Sequence, residues 1–205
     1  MLPKLYQNWL FYTGAMVSTR QRRTFTAQEY LQLERAANYK SEYLNGEIFA
    51  MAGASTAHNT ISANIIGLLW AQVRGRCRVL NSDMRIALDA SSSYSYADVL
   101  VVCGAPKLLA ESFQDNLTNP QVIFEVLSPS TEAYDRGEKF EQYKAIPSFT
   151  DYVLVAQDQP RVEHYKRRED GAWVCNVYAG LTASLPIDSI GCALALAEIY
   201  ELPAQ

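Results

Sequence analysis

The chain lacks an excess of positive charge. Lysine and arginine total 18 against 22 aspartates and glutamates, a formal net charge of −4. Diffuse nucleic-acid affinity rests on many Lys and Arg contacts to phosphates, so this balance argues against it. Three local basic clusters remain: Arg20, Arg22 and Arg23; Arg74, Arg76 and Arg78; and Lys166, Arg167 and Arg168. They read mostly as solvated surface charge. Cysteine is scarce and scattered. Cys77, Cys103, Cys175 and Cys192 form no CxxC pair, which argues against a zinc site. Their apolar neighbours predict buried reduced thiols in a cytoplasmic protein.

No run is long and apolar enough to cross a bilayer. Trp9-Leu10-Phe11-Tyr12 follows Lys4, but Thr13 and Gly14 break it and no small-residue cleavage site follows. Residues 1–24 are read as an N-terminal extension open to disorder, and residues 25–205 as one domain. Internal repeats, low-complexity linkers and a Ser-His-Asp spacing are also missing, so neither a solenoid nor a serine nucleophile is indicated.

What is present is an alternation of helical and strand patterns. Thr26-Ala27-Gln28-Glu29 has the form of a capping box and predicts a helix from Ala27 to Ala37. Asn45-Gly46 between two strand-like runs predicts a hairpin. Ile61, Ile65, Leu68, Leu69 and Val73 recur at helical spacing, giving a helix from Asn59 to Arg74. Strands follow at Cys77–Leu80, Met84–Leu88, Tyr96–Val102, Val122–Leu127 and Asp151–Val155, with a second hairpin around Asp170-Gly171. Helices are expected at Asp135–Ala145 and Ala193–Tyr200. The order predicts a single α/β domain with a mixed sheet and helices on both faces.

Two of the strands each carry one lone carboxylate. Tyr96-Ala97-Asp98-Val99-Leu100-Val101-Val102 holds Asp98, and Val122-Ile123-Phe124-Glu125-Val126-Leu127 holds Glu125. A charge on so apolar a strand is costly unless it is paired, hydrogen-bonded or bound to metal. Strand propensity favours neither residue. Lys139, on the helix after the Glu125 strand, shares a stripe with Tyr143 and Ile146, so its ammonium is expected to point toward Glu125. Two carboxylates and a lysine are the parts of metal-assisted phosphodiester cleavage. Magnesium takes hard oxygen ligands, often one or two carboxylates completed by water and substrate phosphate, and Mn²⁺ is expected to substitute. Glu47, on the first hairpin, is a candidate third acidic ligand. His58, near the start of the long helix, either caps that helix or contacts phosphate, and capping is the simpler reading. Asp83 is expected to pair with Arg85.

The runs Tyr96-Ala97-Asp98-Val99, Phe124-Glu125-Val126-Leu127-Ser128-Pro129-Ser130-Thr131, Asp135-Arg136-Gly137-Glu138-Lys139, Tyr143 and Asp151-Tyr152 resemble the Uma-type family of putative restriction endonucleases, in the PD-(D/E)XK nuclease superfamily. Asn45-Gly46-Glu47-Ile48 and Ala57-His58-Asn59 resemble it too, and the likeness spans roughly Phe25 to Tyr200. It implies a restriction-endonuclease-like core, a central mixed β-sheet flanked by helices, with magnesium at the site and DNA as substrate. The chain departs from the pattern at Ala97, where the superfamily has proline, and at Leu127, where it has lysine. The resemblance suggests that this lysine has migrated to Lys139. A homodimer is expected by analogy with enzymes that cut both strands. The alternative is a catalytically silent nuclease fold that binds nucleic acid or protein.

Overall fold

The computed structural model describes residues 24–51, 53–88, 93–109, 113 and 115–201. Most of the expected N-terminal extension, including the Arg20–Arg23 cluster, lies outside the described residues. No helix among those described is long and apolar enough to cross a membrane.

Helix α1 (Ala27–Ala36) starts at the Thr26 capping box, in which Glu29 and Thr26 satisfy each other's backbone N–H groups. Strands β1 (Ser41–Leu44) and β2 (Glu47–Ala50) form the expected hairpin. Its turn places both Asn45 (φ 48°) and Gly46 (φ 92°) in the left-handed region, as Asn-Gly turns of this kind require. Helix α2 (Thr56–Val73) begins earlier than its apolar spacing suggests. The reason is Ser55, whose hydroxyl accepts the His58 backbone N–H and caps the helix.

Strands β3 (Cys77–Asn81), β4 (Arg85–Ala87), β5 (Ser93–Tyr96), β6 (Val99–Cys103), β7 (Asn116–Leu117) and β8 (Val122–Leu127) follow. Then come helices α3 (Glu132–Arg136) and α4 (Glu138–Tyr143), strands β9 (Asp151–Ala156), β10 (Arg161–Arg167), β11 (Trp173–Ala179), β12 (Ser184–Ile187) and β13 (Cys192–Ala195), and helix α5 (Leu196–Ile199). The large sheet is mixed, in the order β11-β10-β9-β8-β6-β3, with β8 and β9 parallel. A second sheet runs β2-β1-β5-β4-β7. Helix α2 covers one face of the large sheet through Ile61, Ile65 and Leu69 against Val99, Phe124 and Val126. On the opposite face Phe140 and Tyr143 of α4 pack with Leu100, Ile123 and Leu127.

Four expectations are corrected. The strand through Asp98 is not continuous: β5 belongs to the smaller sheet and β6 to the larger, and the chain changes sheets at Ala97–Asp98. The Asp135–Ala145 helix is two short helices, because Gly137 (φ −111°, ψ −100°) is not helical and a side chain there would press on the Ala133 carbonyl. The Ala193–Tyr200 helix keeps only its last turn, since Cys192–Ala195 pairs in register with Ser184–Ile187 and the sheet contact overrides alanine's helical preference. The cysteines are not all reduced: the β3–β6 ladder sets Cys77 opposite Cys103, and the two form a disulfide, while Cys175 and Cys192 are free.

Candidate active site

The break at Ala97–Asp98 positions the first acid. Val99 pairs with Phe124 in the antiparallel β6–β8 ladder, so Asp98 lies one step beyond the last pair, level with Glu125. Residues level with one another in such a ladder present side chains on the same face. The Val126 backbone N–H donates to Asp98 Oδ2 at 2.7 Å, tying the corner to β8. Glu125 alternates with Ile123 and Leu127, both in the core beneath α4, and so faces that helix.

Lys139 comes down from α4 onto this face. Its side chain is 7% exposed, and Nζ lies 2.9 Å from Glu125 Oε1, 3.4 Å from Asp135 Oδ1 and 3.5 Å from Glu42 Oε1. Tyr143, one turn on, donates its hydroxyl to Glu125 Oε1 at 3.0 Å and lies 3.2 Å from Ser95 Oγ. Ser95 in turn donates to Glu42 Oε1 at 2.5 Å, and the Tyr96 N–H donates to the same oxygen at 3.1 Å. The smaller sheet, the larger sheet and the helix pair therefore meet at one cluster of buried charge.

Two of these residues, Glu42 and Asp135, escaped the sequence reading. Both had a signal. Glu42 is a lone acid in a four-residue strand that is buried throughout, the same cue that marked Asp98 and Glu125. Asp135 precedes Lys139 by one helical turn. Glu47 is the acid expected from the hairpin. It sits opposite Leu44 at the turn end of the ladder, on the face it shares with Glu42, and is not among the three carboxylate partners of Lys139. His58 does not cap α2 through its side chain. Its Nε2 lies 3.1 Å from Asp98 Oδ2, while Nδ1 is buried with no partner among the described residues. Asp83 pairs with Lys40 rather than Arg85, which reaches Asp115, Asn116 and Tyr96 instead.

Acids outnumber cations here: Glu42, Asp98, Glu125 and Asp135 face Lys139 and His58. Burial, with Asp135 and Asp98 nearby, pushes the Glu125 carboxyl well above the usual range against the pull of Lys139. Burial likewise raises Asp135. Burial works to lower Lys139, but Glu125 and its other anionic neighbours outweigh it and hold the ammonium protonated. The hydrogen bond to Asp98 raises His58 in spite of its burial.

A divalent cation suits this donor set. Among the described residues no three His, Cys, Asp or Glu side chains are arranged to cage a metal by themselves. Magnesium needs no such cage, since it keeps several waters and takes one or two carboxylates. The hydrogen bonds of Asp98 and Glu125 among the described residues fall on Oδ2 and Oε1, leaving one oxygen of each to accept. The acids exceed the cations, and a hard cation bound here would favour the ionised carboxylates that burial alone disfavours.

Fold and site together define a mixed α/β protein whose helices flank a central sheet carrying level carboxylates. The chain belongs to the Uma2 family, described as "Putative restriction endonuclease", whose model matches residues 27–197. It is similar to two proteins of Synechocystis sp. One, "Uncharacterized protein sll1609", is 41% identical over 161 residues, covering 78% of this chain and 90% of that protein. The other, "Uncharacterized protein slr1290", is 37% identical over 174 residues, covering 84% and 90%. The fold of this chain matches the crystal structure of "a putative nuclease belonging to DUF820" from Anabaena variabilis, with a TM-score of 0.70 at 18% identity, over 86% of this chain and 97% of that one.

Proposed function

We propose that the chain is a magnesium-dependent DNA endonuclease that hydrolyses phosphodiester bonds, with Mn²⁺ able to replace magnesium. The observation that carries the reading is the buried Lys139 ammonium 2.9 Å from Glu125, on the sheet face where Asp98 lies level with that glutamate. Asp98 and Glu125 would hold the metal, which supplies an activated water and charge neutralisation at the phosphate. His58 and the Val126 N–H fix Asp98 Oδ2, so the carboxylate turns its other oxygen to the ligand. Tyr143 does the same for Glu125. Lys139 acts as a fixed positive charge beside the reacting phosphate, where it stabilises charge that develops during cleavage. Glu42 and Asp135 hold Lys139 in place. A two-fold dimer would present two such sites to the two strands of a duplex.

The test is incubation of supercoiled plasmid with the protein and Mg²⁺ or Mn²⁺. Nicking or linearisation that requires metal and disappears in Asp98→Ala and Lys139→Ala is expected. A second reading, a silent binding module, draws on the depth of the cluster: Glu125 is 3% and Lys139 5% exposed, already satisfying each other. DNA binding that is unchanged by metal and by Glu125→Gln, without cleavage, would establish that reading instead.

A further inference from the structure

The large sheet ends at β11, and we propose that two copies of the chain join at this edge, β11 pairing antiparallel with β11 of a second copy about a two-fold axis at Asn176. The inference rests on no part of the nuclease reading.

The backbone register shows what the edge offers. Arg168 N donates to the Ala172 carbonyl and Gly180 N to the Pro160 carbonyl, bracketing the β10–β11 ladder at both ends. In an antiparallel ladder the hydrogen-bonded pairs alternate, so His164↔Asn176 and its even-numbered neighbours carry the bonds to β10. Trp173, Cys175, Val177 and Ala179 then direct N–H and C=O groups outward. Among the described residues nothing accepts or donates there.

Free edges are ordinarily blunted by charge, proline, bulges or shortness. The other edges of this protein follow that rule. Among the described residues, strand β3 carries Arg78, β2 carries Glu47, β12 carries Pro186, β7 spans only Asn116–Leu117, and β13 is four residues long with its Ala193 N–H and C=O bonded to the Gln72 amide. Strand β11 is seven residues long, Trp-Val-Cys-Asn-Val-Tyr-Ala, with no charge and no proline. Val174 is 40% and Val177 49% exposed, large apolar side chains on the two faces of this edge.

The strand is complementary to itself. A two-fold axis at Asn176 sets Trp173 opposite Ala179, Val174 opposite Tyr178, Cys175 opposite Val177 and Asn176 opposite Asn176. Large residues meet small ones, apolar meet apolar, and the two amides can bond each other. The outward-facing residues fall in register and exchange about eight backbone hydrogen bonds at two per pair. The same patch serves both copies, as a two-fold interface demands.

Sedimentation velocity on the full chain tests this. The wild type should form a dimer that dissociates on dilution. Val177→Pro removes only an outward N–H and should give a monomer with unchanged circular dichroism and unfolding temperature. Should that variant fold poorly, Val177→Lys keeps the N–H and places a charge in each half of the joint, with the same expected loss. Val177→Cys sets a thiol opposite Cys175 of the second copy, where the spacing of a hydrogen-bonded pair, about 5.5 Å between Cα atoms, lies within disulfide range. Mild oxidation should then trap a covalent dimer that Cys175→Ser abolishes. A wild type that stays monomeric at every concentration, or a dimer that survives Val177→Lys and gives no cross-link, would overturn the proposal.

Discussion

Two buried clusters of carboxylate and cation lie on neighbouring strands of the same sheet, and they behave in opposite ways. At the start of β9, Asp151 is fully buried and faces His164 of β10 at 2.7 Å. Thr150 donates a second bond at 2.7 Å, and Ser189 a third. Burial pushes this carboxyl up, yet the three donors more than offset it and hold it below the ordinary value. On β8, Glu125 is buried nearly as deeply, but its one ammonium is shared with Asp135 and Glu42, and the carboxyl is pushed up. Burial is common to both. The number of donors directed at each carboxyl is what separates a closed structural pair from a cluster in which several acids share one ammonium.

That contrast can be broken from either side. The largest effect is expected at the site. Glu125→Gln and Asp98→Ala should each lower the rate of metal-dependent plasmid cleavage by about 10³-fold or more while the protein stays folded. Lys139→Ala should cost about 10²-fold or more in rate and also about 3 kcal/mol in urea unfolding, because it leaves buried acids without their shared cation. At the closed pair the outcome reverses: Asp151→Ala should cost about 3 kcal/mol of stability by stranding His164, with cleavage per folded molecule unchanged.

The pH dependence sharpens the contrast further. A depressed carboxyl such as Asp151 contributes stability that is present above the unfolded value, about 4, and is lost as pH falls through the lower folded value. Raised carboxyls such as Glu125 and Asp135 do the opposite. Their favourable contribution is complete below that unfolded value and is lost as pH rises through the folded one. Urea unfolding across pH should therefore show Glu125→Gln gaining on the wild type as pH rises. Asp151→Asn should fall furthest behind near neutrality and converge with the wild type in acid. The smallest expected effect is that of Tyr143→Phe, which removes one hydrogen bond to Glu125 and should lower the cleavage rate roughly tenfold, about 1.4 kcal/mol.

Much of the fold was legible because local rules and tertiary structure agreed. The Thr26 capping box, the Asn45-Gly46 turn and the apolar runs of β8 and β9 each signal their element within a few residues. Where the reading went astray, distant partners decided. Cys192–Ala195 becomes a strand because Ser184–Ile187 pairs with it, and Cys77 meets Cys103 through a ladder that sequence spacing does not announce. At the site, lone acids in apolar strands pointed to Asp98 and Glu125. The same cue is present at Glu42, a lone acid in a buried four-residue strand. Whether a hairpin lies flat in solvent or folds against a second sheet depends on β5, beyond the reach of local pattern.

The acids around Lys139 outnumber the cations, and the proposal is that a divalent ion completes the cluster. Thermal unfolding of the full chain against increasing Mg²⁺ or Mn²⁺ tests it most directly, since a ligand that binds only the folded state raises the unfolding temperature with concentration. A concentration-dependent rise is expected in the wild type, lost in Asp98→Ala and kept in Asp151→Asn. An unfolding temperature indifferent to both metals, or one that rises equally in Asp98→Ala, would contradict it.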